Sequence, residues 1–290
     1  MKKLLILLGV VGVSLSAPLI RISTAPSMVL VFYRVLIAAV LLCPFALLRN
    51  RDEFSHLGKK TMGLCLLSGL FLGLHFTFYF ESLRHTSIAS AVALVDTEVF
   101  FVAFMMLLLF RETIPVRAWL GILLTFAGSL LIALSDAAGG DNILLGDLIA
   151  LAGAASMAIY TIIGKICRKE ITTTAYTMLV YSSAAATVLI VLLFKGTPVL
   201  GYEPINWFTG LGMAVFCTLL GHSVFSWGLK YESAAFISTV KLLEPVFAAI
   251  LGVILFREIP EPMVMIGGCI IILGVSVYSK YAESSAGDKQ

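Results

Sequence analysis

Charged side chains are scarce in this sequence. Asp, Glu, Lys and Arg make up 13% of its 290 residues, against about 25% in a typical soluble domain. Hydrophobic residues make up 60%, and the mean hydropathy is +1.02. That balance excludes a water-soluble globule and leaves an all-α integral membrane protein as the fitting class. The net charge of +3 is small and no basic cluster is interleaved with aromatics, so nucleic acid is excluded as a partner. The five cysteines, Cys43, Cys65, Cys167, Cys217 and Cys269, form no CxxC pair and lie in or beside apolar runs. A disulfide framework and a zinc site are thereby excluded, and the cysteines read as small packing residues. No HExxH motif, GxGD signature or GxxxxGK[ST] loop is present. Neither a membrane enzyme nor an ATP-driven pump is expected. No catalytic residue, metal ligand or cofactor is assigned.

What fills the chain instead is long apolar runs. A helix needs about 20 such residues to cross the hydrocarbon. Ten runs qualify, at 4–22, 27–48, 62–82, 88–110, 118–136, 144–166, 174–194, 207–229, 233–256 and 262–280. The connections are short, the longest being 49–61 and 195–206, and none can house a soluble domain. The first run, "MKKLLILLGVVGVSLSAPLI", has the look of a signal peptide. It is read as a retained helix because the repeat described next needs it. With the N-terminus inside, fourteen Lys and Arg fall on inner segments. Only Arg21, Arg84, Lys195 and Arg257 fall on outer ones. The positive-inside bias predicts a multi-pass protein of the cytoplasmic membrane with both termini cytoplasmic, ending in a short disordered tail, 282–290.

Residues 82–132 lie over 228–278 at an offset of 146. "SLRHTSIASA" lies over "GLKYESAAFI", Glu98 over Glu244, "LFRE" over "LFRE", and Gly121 and Gly128 over Gly267 and Gly274. Two five-helix units follow, 1–137 and 143–281. Because five is odd, the second enters from the opposite side. Such five-plus-five inverted-topology repeats build transporters with a site near the midplane.

These residues carry a resemblance to a known family. Ten spans in an inverted repeat, with "LLEPVFAAILGVILFREIP", its counterpart "LVDTEVFFVAFMMLLLFRETIP", and the spans "WLGILLTFAGSLLIAL" and "MIGGCIIILGVSVY", resemble the EamA-type members of the drug/metabolite transporter superfamily. The family often has proline in both halves at the position of Pro245, whereas the first half here has Val99, preceded by Glu98. The resemblance implies small metabolites, often amino acids or amines, moved outward.

Five charged residues stand well inside spans: Arg34, Asp96, Glu98, Lys241 and Glu244. Each costs about 2.5–3.5 kcal/mol at a helix centre when unpaired, so they must pair or face water. By depth, Arg34, His75 and Asp96 form an outer polar layer. His222, Lys241 and Tyr181 form an inner one, with Glu98 and Glu244 between. Asp96 lies about 200° from Glu98 on a 3.6-residue helix, so in a straight helix the two acids cannot enter one cavity. Glu98 is expected to face the central cavity and Asp96 to face Arg34 or His75. Pro245 removes an N–H and crowds the carbonyl of Lys241, predicting a kink beside Glu244. The substrate-binding candidates are Glu98, Glu244, Lys241, Tyr160, Tyr181 and Trp227. Lys241 has two roles open to it: holding a substrate carboxylate, or neutralising Glu244. The charge network is Arg34, His75, Asp96 and His222.

The expected partners are a small-molecule substrate, membrane lipid and protons as coupling ion; the oligomeric state is left open. The expected function is export of small polar metabolites such as amino acids by alternating access. Efflux of amines or cationic drugs is the alternative. A non-transporting membrane scaffold or sensor is the rival of another class.

Overall fold

The computed structural model of the chain describes residues 2–134, 142–257 and 259–287, without the side chains of 88, 89 and 283–287. The linker 135–141, Glu258 of the second "LFRE" motif and 288–290 of the expected tail lie outside the described residues. Among the described residues every regular element is helical. Ten helices are long and apolar enough to cross a membrane: α1 (Lys2–Ile22), α2 (Ser27–Arg49), α3 (Lys59–Ser82), α4 (Ser90–Phe110), α5 (Val116–Leu134), α6 (Ile143–Cys167), α7 (Thr173–Phe194), α8 (Pro204–Gly228), α9 (Ala234–Phe256) and α10 (Pro262–Ala282). Helix is the outcome because hydrocarbon offers no partner to a backbone N–H or C=O, so each segment must satisfy its own. The helical path of α10 continues to Gly287, so the tail expected to be disordered from 282 is helical through Gly287.

The repeat is written into the local geometry. Ser87 caps the start of the fourth helical path by accepting from the N–H of Ser90, and Ser233 caps the ninth by accepting from the N–H of Phe236. Both paths end at an arginine in the left-handed region, Arg111 with φ 54° and Arg257 with φ 57°. All of these equivalences keep the 146-residue offset. The packing repeats too: α2 meets α7, α4 meets α9 and α5 meets α10, each pair made of equivalent helices, while α3 lies on α6 as α8 lies on α1.

The α5–α10 seam is a close backbone approach. A Cβ on Gly128 would stand 2.6 Å from the Gly267 carbonyl oxygen, and one on Gly274 would stand 2.8 Å from the Gly121 oxygen. Gly121 and Gly267 are repeat equivalents, as are Gly128 and Gly274, so the two contacts are images of one another. Small residues allow this backbone approach, from which dispersion and weak Cα–H contacts draw their strength in lipid. The "GLFLG" stretch acts likewise in α3, where Gly69 faces the Val180 carbonyl and Gly73 faces Thr187 on α7.

The inversion is visible along α6. Thr86, in the α3–α4 hairpin, donates to Asp147 near the start of α6 at 2.8 Å. Lys165, near its end, donates to the Glu232 carbonyl in the α8–α9 hairpin at 2.6 Å. The two hairpins therefore sit about 27 Å apart along the helix axis, at 1.5 Å per residue. Lys2 and Lys3 lie over the rings of Tyr231 and Phe236, and Lys169 over Phe110, at one end. Arg21 lies over Phe256 at the other. The first half's fourth path thus finishes where the second half's ninth begins.

Two outcomes follow from this architecture. Single cysteines at His85 and at Glu232, in a background without the native five, are expected to react with an impermeant maleimide from opposite sides of a sealed membrane. Labelling from one side would overturn the inversion. Gly267→Val forces a methyl-bearing carbon against the Gly128 oxygen and is expected to lower unfolding free energy by about 1–3 kcal/mol in detergent, read as a drop in thermal midpoint.

Candidate functional site

Both equivalent helices α4 and α9 are broken in the middle. The ninth path runs as Ala234–Lys241 and then Glu244–Phe256, with Pro245 in the first turn of the second piece. Leu242 and Leu243 turn through i−3 bonds to Thr239 and Val240, leaving Lys241 at the end of the first piece. Proline has no N–H to continue the ladder, which accounts for the break. The fourth path runs as Ile88–Asp96 and then Glu98–Phe110 and has no proline. Here the Thr97 N–H reaches back to the Leu94 carbonyl at 3.2 Å, and its hydroxyl donates to the same oxygen at 2.5 Å. A threonine side chain that competes for backbone carbonyls can interrupt a helix in this way. The straight helix assumed for the angle between Asp96 and Glu98 is therefore corrected.

Each break opens a half-helix on a glutamate. Glu98 and Glu244 sit in the first turns of their second pieces, where unpaired N–H groups and the helix dipole favour negative charge. Their surroundings differ. Glu98 is 7% exposed and bridges three helices. It accepts from Lys241 Nζ at 3.0 and 2.8 Å, one bond to each oxygen, from Ser238 at 2.9 Å, both on α9, and from Thr161 on α6 at 3.2 Å. Lys241 thus does not neutralise Glu244: it pairs with the glutamate of the opposite repeat. The geometry forced this, since Lys241 ends one half-helix and Glu244 starts the next after a two-residue turn, so the i+3 spacing of a continuous helix is lost. The Glu244 carboxylate has no hydrogen-bond or ion-pair partner among the described residues.

Arg34 and Asp96 do not pair. Asp96 accepts a hydrogen bond from Ser129 on α5. Arg34 is 4% exposed, donates from Nε to the Thr218 hydroxyl at 3.0 Å, and rests its guanidinium 4.9 Å from the centre of the Phe76 ring. Depth alone suggested the Arg34–Asp96 pair. The fold brings Asp96 against α5 and Arg34 against α8. His75 shares its Nδ1 with the Gly153 carbonyl at 3.0 Å, so it too is not Asp96's partner. His222 is 5% exposed, and its ring meets Phe76 edge-on at 5.8 Å. Tyr160 bonds Ser226 at 3.1 Å. Tyr181 donates to the Thr218 carbonyl at 3.2 Å and shares a 2.9 Å bond with Ser223. Trp227 lies apart, tilted against Tyr231 at 4.8 Å near the α8–α9 hairpin, so it does not join the others.

The residues that organise this layer and that the sequence did not flag are Thr218 and the turn around it. Residues Met213–His222 of α8 form a π-helix. Thr218 donates its hydroxyl to the Met213 carbonyl at 3.2 Å, and Ser223 donates to the Thr218 carbonyl at 3.3 Å, both across five residues. Those side chains stabilise the wide turn, a form often found at functional sites. "TLLGHS" read as ordinary helix because no periodicity distinguishes a π register.

The central pair generates a test. Lys241→Met leaves Glu98 buried without its cation and is expected to cost about 3–5 kcal/mol. Glu98→Gln with Lys241→Met together is expected to recover most of that loss, measured by thermal unfolding of the purified protein. Additive losses in the double variant would show that the two side chains are not coupled.

Comparison with known proteins agrees with this architecture. The EamA-like transporter family model matches residues 2–134 and again 144–280. An uncharacterized transporter of Archaeoglobus fulgidus is 27% identical over 252 residues, covering 85% of each chain. The pseudopaline exporter CntI of Pseudomonas aeruginosa is 25% identical over 262 residues, covering 89% of this chain and 88% of its own. One crystal structure, 17% identical, superposes with a TM-score of 0.81 over 97% of this chain and 98% of that one, a likeness of fold.

Proposed function

Because this chain belongs to the EamA-like transporter family and is a membrane transporter with ten spanning helices, we propose that it exports small polar metabolites that carry an amine, amino acids first among them, by alternating access. The observation that carries the reading is the inequality of the two equivalent glutamates. Glu98 is spent on Lys241, while Glu244 holds the same half-helix position with no partner of its own. An unpaired acid inside a membrane bundle defaults to a functional role, and a substrate ammonium or a proton is the natural counter-charge. The outward direction takes its support from the exporter among the relatives.

The mechanism turns on the Glu98–Lys241 bond. It joins α4 of one repeat to α9 of the other, next to the two helix breaks. Rocking one repeat against the other changes that distance, so the pair is made in one state and strained or opened in the other. A substrate amine on Glu244 adds a cation to the polar layer and shifts the balance between states by its differential binding. Protons are the coupling ion in this reading, with Glu244 and Asp96 as the groups that exchange them.

The second reading, efflux of amines or cationic drugs, is favoured by a specific pair of features. Asp96 bonds Ser129 and the Glu244 carboxylate bonds no side chain, so two acids stand in the bundle without an ion pair among the described residues. No observation favours a scaffold or sensor.

Sealed proteoliposomes containing only this protein are expected to move a labelled amino acid faster when an opposing proton gradient is imposed. Glu244→Gln is expected to lower the rate at least about tenfold, the effect of losing roughly 1.4 kcal/mol or more of transition-state stabilisation. Wild-type rates in that variant across a broad pH range would remove Glu244 from the site.

A further inference from the structure

Two buried side-chain polar atoms among the described residues have no hydrogen-bond partner, and their groups lie on the same ring. They are Nη2 of Arg34 and Nδ1 of His222. Arg34 places its guanidinium 4.9 Å from the Phe76 centroid, and His222 meets that ring edge-on at 5.8 Å. Buried polar groups are otherwise paired almost without exception, and a charged one left bare in low dielectric is the most costly kind. The neighbourhood is built. The Arg34 Nε is anchored on the Thr218 hydroxyl, Thr218 is held by the π turn, and Tyr181 ties α7 to the same turn. The guanidinium is fixed along one edge while part of its other edge stays free. Every other cation of the layer is committed, since Lys241 holds Glu98 through both oxygens.

We propose that Arg34 Nη2 and His222 Nδ1 form the subsite for the carboxylate of the transported solute. This rests on the amino-metabolite reading above and adds the anionic end that it lacked. An arginine with an unpartnered Nη2 is suited to a carboxylate oxygen, to which it donates a charge-assisted N–H bond. The imidazole, in its Nδ1–H tautomer, supplies a further donor. Glu244, the unpaired acid of the amino-metabolite reading, takes the ammonium. The substrate class is therefore a zwitterion that carries both an amine and a carboxylate, and the specificity-determining groups belong to both repeats: Arg34 comes from the first, His222 and Glu244 from the second.

The test uses the full chain in sealed proteoliposomes. The probes are labelled α-amino acids and, for each one that crosses, its α-amide, which keeps the amine and side chain but loses the negative charge. Wild type is expected to move the acid at least tenfold faster than the amide. Arg34→Gln is expected to slow the acid at least tenfold and leave the amide nearly unchanged. Arg34→Lys, which keeps the charge without the fork, is expected to fall between, mainly through a raised KM. His222→Leu is expected to raise KM for the acid, and His222→Asn, whose amide N–H stands in for Nδ1–H, to restore it. A preference of wild type for the amides overturns the subsite while leaving the transporter reading intact. So does an Arg34→Gln protein, eluting as wild type on gel filtration, that slows acid and amide equally. If no amino acid crosses at all, the amino-metabolite reading and the subsite fall together.

Discussion

The cost of placing charge inside a bilayer governs this molecule. Each lone ionised side chain at mid-membrane opposes insertion, and the chain carries five such residues at depth. Two of these costs are met by one contact between repeats: Lys241 bonds both oxygens of Glu98, with Ser238 and Thr161 completing the shell. Neither repeat satisfies its own charge there. The two halves are thus held in register by a bond that either one alone would leave open, and the helix breaks on both sides of it become tolerable because they line a polar interior.

The pseudo-symmetry explains both what matches and what departs. Cap, break, glutamate and left-handed arginine recur in α4 and α9, and the glycine seam of α5 and α10 is its own image. Departures cluster in the polar layer. Proline makes one break and threonine the other. One glutamate is neutralised and the other is free. The π turn of α8 has no counterpart in α3, which is a continuous α-helix. Function in a duplicated fold is expected where equivalence has been given up, since symmetric halves offer one chemistry twice.

Most of the fold was legible in the sequence because hydrocarbon leaves the backbone little choice. Twenty apolar residues make a helix, and the shared offset of glycines, glutamates and "LFRE" announced the repeat. The site was legible in part. The acids, Arg34, Lys241 and both histidines were flagged from their cost in lipid. Their partners were not. Depth along a helix says nothing about which side of the bundle a side chain faces, so Arg34 was matched to Asp96. The break at Thr97 was hidden because threonine is compatible with helix or interruption, and only its local bonds decide. The π register of α8 leaves no composition signal at all, which is why Thr218 went unnoticed although it anchors the guanidinium.

That wide turn has a mechanical consequence. A π stretch holds one residue more than an α-helix needs over the same height, about 1.5 Å of chain kept as slack. Returning Met213–His222 to α register must expel that surplus, swinging the residues beyond it by roughly 100° about the axis. Thr218 would then turn from Arg34 and His222 from Phe76, and the clasp on the arginine would open without any helix tilting. The eighth span therefore carries its own gear, able to turn a short axial slide into a rotation of the polar face.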